Sequence, residues 1–127
     1  MKKVAVLLIA GLLTSCGAPS ANIVGTWTDV QTGVANGWAS KDVARLRFHA
    51  DKRGSMEDIV QEGVAPNSPQ LSKPAVEQRY VGFWSVRHGD VLVLDMGGGA
   101  DVLFTIGKDG KTLTDQSTQH VYHKVTR

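Results

Sequence analysis

Cysteine is almost missing from this chain: Cys16 is the only one in 127 residues. That excludes an internal disulfide and a metal site built on several thiolates. Packing alone must hold the fold together. An apolar run long enough to span a bilayer is missing too. The longest, residues 4–13, would make about 15 Å of helix, half of the roughly 30 Å of hydrocarbon in a membrane. Nor is there a surplus of charge of one sign. The chain has 14 basic and 12 acidic residues; Lys2 and Lys3 are the excess, and outside them the count is 12 against 12. Nothing in that balance calls for nucleic acid or an anionic surface as partner.

Patterns that carry chemistry are also lacking. No Gly-x-Ser-x-Gly elbow occurs. Gly97-Gly98-Gly99 lacks the Lys-Ser/Thr and the helix of a phosphate loop, and reads as a strand connection. His120 and His123 lie three apart, on opposite faces of a strand, which keeps them from sharing a metal. Glu57, Asp58 and Glu62 read as a solvated strand edge rather than an acid–base pair. The expectation is no catalytic residue, no cofactor and no metal ligand.

What is present begins with the lead segment. Met1-Lys2-Lys3 is basic, residues 4–13 are apolar, and Leu13-Thr14-Ser15-Cys16 ends the run on small side chains. The order of charge, apolar stretch and small residues is that of a secretory signal. Its ending resembles the lipobox of bacterial lipoproteins. That resemblance implies cleavage before Cys16, with acyl chains on the Cys16 sulfur and on its new amino terminus. One chain holds a protein to a membrane only marginally and two or more hold it firmly, at about 0.8 kcal/mol per buried CH₂. Gly17 after the cysteine, by the same resemblance, points to the periplasmic face of the outer membrane. Residues 1–15 are thus the signal peptide and 16–22 a lipidated tether, Pro19 and small residues giving it no periodicity. Residues 23–127 are the domain, long enough for a single core.

From Ile23 onward, short β-rich runs alternate with turn signals. Runs are expected at 23–29, 43–49, 55–61, 76–87, 91–96, 101–106, 112–117 and 120–125. In the second, Ala44, Leu46 and Phe48 share one face, and Arg45, Arg47 and His49 the other. Val102, Phe104 and Ile106 face inward in the sixth. The fourth has bulk on both faces: Tyr80, Trp84 and Val86 against Val81 and Phe83. It is therefore buried on both sides or bent at Gly82. Residues 35–42 invite a helical turn, and residues 62–74, with three prolines, read as a long loop. The fold class is all-β, a small antiparallel meander that hides its edges by closing into a barrel of about seven or eight strands.

Gly25-Thr26-Trp27 at the start of the first strand looks like the Gly-x-Trp signature of lipocalins and their small bacterial relatives. Tyr80 to Trp84 and Tyr122 to Lys124 fit the same order. The resemblance implies a lipocalin-like barrel closed at one end by Gly25 and Trp27, with a basic residue, Lys124 or Arg127, against the tryptophan. A barrel this small is filled by its own side chains or keeps a cavity. If it keeps one, Trp84, Tyr80 and Phe104 are the expected ligand-binding residues.

Together these observations describe a non-enzymatic lipoprotein facing the periplasm, held to the membrane by the lipid on Cys16. It binds a small apolar ligand or serves envelope maintenance. The alternative is a protein-binding accessory lipoprotein of the secretion-pilotin or lysozyme-inhibitor type, with the 62–74 loop as its contact surface.

Overall fold

The computed structural model describes residues 23–126; the expected signal segment, Cys16 and the tether lie outside them. Eight antiparallel strands follow in order: β1 (Gly25–Ala35), β2 (Trp38–Phe48), β3 (Arg53–Glu62), β4 (Ala75–Arg87), β5 (Val91–Asp95), β6 (Asp101–Ile106), β7 (Thr112–Asp115) and β8 (Val121–Lys124). Each pairs with the next, and β8 returns to β1, so the sheet is a closed barrel. The expected all-β meander of seven or eight strands is what the chain forms, with eight. Closure removes the exposed edges that an open sheet would offer to other chains.

Sequence reading went astray at the first hairpin. Residues 35–42 form no helical turn: Asn36 and Gly37 have φ of 54° and 84° and join β1 to β2. An Asn-Gly pair takes up positive φ at both positions, and its twist matches that of the flanking strands. β1 therefore runs on to Ala35 and β2 begins at Trp38, each well beyond the limits set by hydrophobic alternation. The 62–74 segment is likewise more ordered than a free loop. The Asn67 N–H donates to Gly37 O at 2.6 Å, Gly63 N–H to Ala39 O at 2.7 Å and Ser72 N–H to Glu62 O at 2.7 Å. Gly63 and Leu71 form a bridge. The segment folds back against the tip of the first hairpin.

Inward faces follow the register. Trp27, Leu46 and Met56 are cross-strand neighbours, as are Gly25, Phe48 and Gly54. Ile23, Trp27, Leu46, Phe48, Trp84, Leu92, Leu94, Phe104, Leu113 and Tyr122 make one buried cluster, with Val102 and Ile106 packed against it. Full burial of each large side chain contributes about 1.5–3 kcal/mol. Two edge-to-face aromatic pairs fix its geometry, Phe48 with Trp84 at 6.1 Å and Phe104 with Tyr122 at 5.8 Å.

The fourth strand is not buried on both sides. Val81 and Phe83 point outward and are 63% and 64% exposed. Gly82 marks the place where β4 leaves β3 for β5: it pairs with Gly54, and Phe83 next to it pairs with both Arg53 and Asp95. A Cβ at Gly82 would run into the carbonyl oxygen of Asp95. On the outer face nearby, Glu57 sits between Arg45 and Arg79 on the neighbouring strands. Its carboxylate is 2.7 Å from Arg45 and 3.7 Å from Arg79, and only 8% exposed. The Arg45 hydrogen bond holds the Glu57 carboxyl below its ordinary range, against the opposing effect of burial.

Two predictions follow from these positions. Gly82→Ala should cost about 3 kcal/mol, because backbone rather than a flexible side chain must move. Gly98→Ala, at a φ of 61° but with open space around it, should cost only about 1 kcal/mol; equal losses in urea titrations would refute the close-approach account. Glu57→Gln should cost about 1–2 kcal/mol at neutral pH. A depressed folded pKa gives stability that is complete above the unfolded value of about 4.3 and is lost as pH falls through the folded value. The acid limb of the stability curve should therefore be shallower in Glu57→Gln than in the parent chain.

Candidate functional site

The two ends of the barrel differ in chemistry. At the closed end, the Trp27 indole N–H donates to Ile23 O at 2.9 Å, and the Lys124 ammonium lies 5.5 Å from the ring centroid. A cation over an indole face is attracted by the ring quadrupole. Of the two basic partners expected for Trp27, Lys124 takes the position; Arg127 lies outside the described residues. Gly25 sits beneath this lysine, where a Cβ would come within 3.2 Å of Lys124 Cε. A second cap forms beside it: the Trp84 indole N–H donates to His49 O at 2.8 Å, and Lys52 Nζ lies 4.0 Å over the ring.

The three expected ligand-binding residues do not come together. Trp84 and Phe104 are 3% and 0% exposed and belong to the core. Their rings are occupied against Phe48 and Tyr122, which leaves no face toward a cavity. Tyr80 is half exposed and lines a small hollow of about 40 Å³ with Met56, Asp58, Gln78 and Tyr122.

A cavity of about 310 Å³ lies at the open end, lined in part by Val43, Ala44, Met56, Ile59 and Val60. Asp29, Asp42, Asp58, Glu77 and Asp115 line it too, with Gln31, Thr118, His120 and Tyr122. Register explains the change of character. Asp29 follows Trp27 by two residues on the inner face, Asp58 follows Met56, Asp115 follows Leu113, and Asp42 precedes Ala44. On each of these strands the inward face turns from apolar to carboxylate, Asp29 and Asp58 opposite Ala44, and Asp42 one step further out, opposite Gln31 and Val60. Hydrophobic alternation hid this, because the apolar part of each run set the expected strand ends.

Fixed contacts hold part of this lining. Asp115 is 6% exposed. Its Oδ1 accepts from Ser117 N–H and Ser117 Oγ at 2.8 Å each and from Thr118 N–H at 3.3 Å, ordering the turn into β8. His120 Nδ1 lies 2.9 Å from Asp29 Oδ2 and 3.0 Å from Gln31 Nε2, bridging β1 to that turn. Among the described residues, no group of three or more His, Cys, Asp or Glu is placed to hold a metal ion.

Tyr122 forms the floor between core and cavity. Its ring packs edge-on against Phe104, and the residue is 5% exposed. Its hydroxyl makes no hydrogen bond among the described residues. No fully enclosed side-chain N or O there lacks a partner, so this hydroxyl is not sealed in; the residue lines both the cavity and the small hollow beside it. Burial, then the charges of Asp115, Asp29 and Asp58, push its pKa up to about 12. A second, more open hollow of about 420 Å³ lies by the first hairpin, among Ala35, Trp38, Ala39, Ser40, Glu62 and Gly63.

A spectrophotometric titration tests this floor. One tyrosine should ionise near pH 12, and Tyr122→Phe should remove that step. A folded pKa above the unfolded value of about 10 gives stability that is complete below pH 10 and is lost as pH rises toward the folded value. Alkaline destabilisation over that window should amount to roughly 2–3 kcal/mol and be absent from Tyr122→Phe. An unchanged alkaline limb in the variant would overturn the assignment.

Comparison with protein-family models, with curated proteins and with solved structures finds no match for this chain, so no relative supplies a function for the cavity.

Proposed function

We propose that the chain is a non-enzymatic lipoprotein of the bacterial envelope, anchored through Cys16 at the periplasmic face of the outer membrane, whose barrel binds a small ligand in its open mouth. One observation carries the ligand half: an open cavity of about 310 Å³ above a packed core. That is the lower end of the range in which small-molecule sites occur, about 300–1,000 Å³. Its wall of Val43, Ala44, Met56, Ile59 and Val60 offers an apolar surface to part of a ligand, in keeping with a lipocalin-like carrier. The anchor rests on Leu13-Thr14-Ser15-Cys16 and the basic and apolar stretches before it.

A second reading, a protein-binding accessory lipoprotein, is favoured by one feature. Val81 and Phe83 stand side by side on the outer face of β4, both more than 60% exposed. Exposed apolar side chains on a sheet are a common feature of partner surfaces.

Native mass spectrometry of the chain drawn from membranes tests both halves at once. The expected mass is that of a chain cleaved before Cys16 and carrying acyl groups, with a non-covalent small molecule retained. An unmodified Cys16 would refute the anchor. A chain that is consistently bare of small molecules, yet cross-links to one envelope protein through β4, would replace the carrier reading with the second.

A further inference from the structure

We propose that the mouth cavity takes a small organic ammonium ion, its cation held between the inner carboxylates and the Tyr122 hydroxyl and its apolar part laid against Met56 and Val60. This rests on the mouth being a ligand site and names the class of ligand. Three independent features of the lining support it.

The first is charge. Five carboxylates, Asp29, Asp42, Asp58, Glu77 and Asp115, line the cavity, and no lysine or arginine is among its lining residues. The one basic group there, His120, is already placed on Asp29 at 2.9 Å. A concave, low-dielectric wall of one sign focuses its field and concentrates counter-ions. Anions and carboxylate-headed fatty acids are repelled by the same field.

Tyr122 is the second. Tyr122 is 95% withdrawn from solvent and its hydroxyl has no hydrogen-bond partner among the described residues, so it is satisfied only by what enters the space that it lines. The residue lines the cavity, and three of the cavity's carboxylates, Asp115, Asp29 and Asp58, act on its phenol; the hydroxyl's lone pairs accept from an N–H donor. Burial and, after it, the surrounding carboxylates discourage ionisation of the phenol, so it remains a neutral acceptor at any physiological pH.

The third is the mixed wall, which separates an organic cation from a metal ion. No set of three or more His, Asp or Glu among the described residues is placed for coordination, so a bare divalent ion finds no inner coordination sphere. Val43, Ala44, Met56, Ile59 and Val60, on the same strands as Asp42 and Asp58, gain nothing from a hydrated metal but are well covered by methylene groups. An alkylammonium satisfies all three features: charge for the carboxylates, N–H for Tyr122, and CH₂ groups for the apolar wall.

The chain has only two tyrosines, Tyr80 and Tyr122, which gives a direct readout. Ring-¹³C-tyrosine is introduced into the full chain, held in lipid nanodiscs, and Tyr80→Phe assigns the two NMR signals. Four probes are titrated: n-hexylamine hydrochloride, n-hexanol, sodium hexanoate and calcium chloride. Saturable movement of the Tyr122 signal with hexylamine alone is the expected result. The affinity should weaken at least about tenfold in Asp42→Asn/Asp58→Asn, and also on raising salt. Both aspartates are exposed, and an unchanged far-UV circular dichroism spectrum reports that the barrel is intact. Hexanol or hexanoate binding as well as hexylamine would overturn the cation assignment while leaving the mouth as a ligand site. Calcium alone moving Tyr122 would replace the ammonium with a metal. No probe moving Tyr122 would overturn the assignment and the carrier reading together.

Discussion

The barrel depends on a short seam. β8 meets β1 through two residue pairs, Trp27 with Lys124 and Thr28 with His123, whereas β1 meets β2 through eleven. The β6–β7 and β7–β8 junctions have three pairs each; the β1–β8 junction is the shortest, and it decides between a closed barrel and a curled sheet with two open edges. The closed end is therefore reinforced beyond its backbone pairing. The Lys124 ammonium covers the indole, the indole N–H is bound to Ile23 O, and Val125 N–H donates to Thr26 O at 2.8 Å. One tryptophan thus fills the base of the core, ties down the entering chain and carries the cation that closes the ring.

Closure at that end frees the other. An eight-stranded barrel is only just wide enough for its own side chains to fill it, and here they fill it up to Tyr122. Beyond that level the strands are unequal: β1, β2 and β3 have ten or eleven residues, and β7 and β8 have four. The long strands rise past the short ones and leave a bowl rather than a tube. Its inner wall is free of the packing requirement, so carboxylates are tolerated there at positions that, one turn of the pleat lower, must be apolar.

Much of this was legible in the sequence, and the failures share a cause. Alternation located all eight strands and the inward faces of β2 and β6, because Leu46–Phe48 and Val102–Phe104 obey the period of two that burial on one face imposes. The same rule truncated β1 and β2. It treats an inward Asp29 or Asp42 as the end of a strand, although the chain remains extended while its inner face changes from core to water. The Asn36-Gly37 pair marked the true turn, and giving turn chemistry priority over alternation would have found it. Of the expected ligand residues, Trp84 and Phe104 lie in the core and Tyr80 at a small hollow, because in a small barrel bulk is spent on filling. What lines the cavity is the set of polar residues two places beyond the last buried one, a pattern visible only after strands are placed side by side. Tyr122 gave no signal of its own, since a tyrosine near the end of a strand is ordinary in sequence and distinctive only through what surrounds its hydroxyl.

The position of Ile23 fixes the end of the barrel at which the chain enters. Ile23 is buried at the closed base, its carbonyl bound by Trp27, so the chain enters the barrel from below and the mouth lies at the opposite end. Residues 16–22 reach at most about 25 Å when fully extended. With Cys16 carrying lipid, as proposed, so short a tether keeps the base toward the bilayer and turns the mouth away from it. A carrier that collected lipids would be better served by the reverse orientation. A mouth that faces the aqueous side, lined with carboxylates and backed by a modest apolar wall, suits a ligand that arrives through water as a cation. With the anchor as proposed, the chain entry accounts for a ligand that arrives through water, and the inner wall alone accounts for its charge.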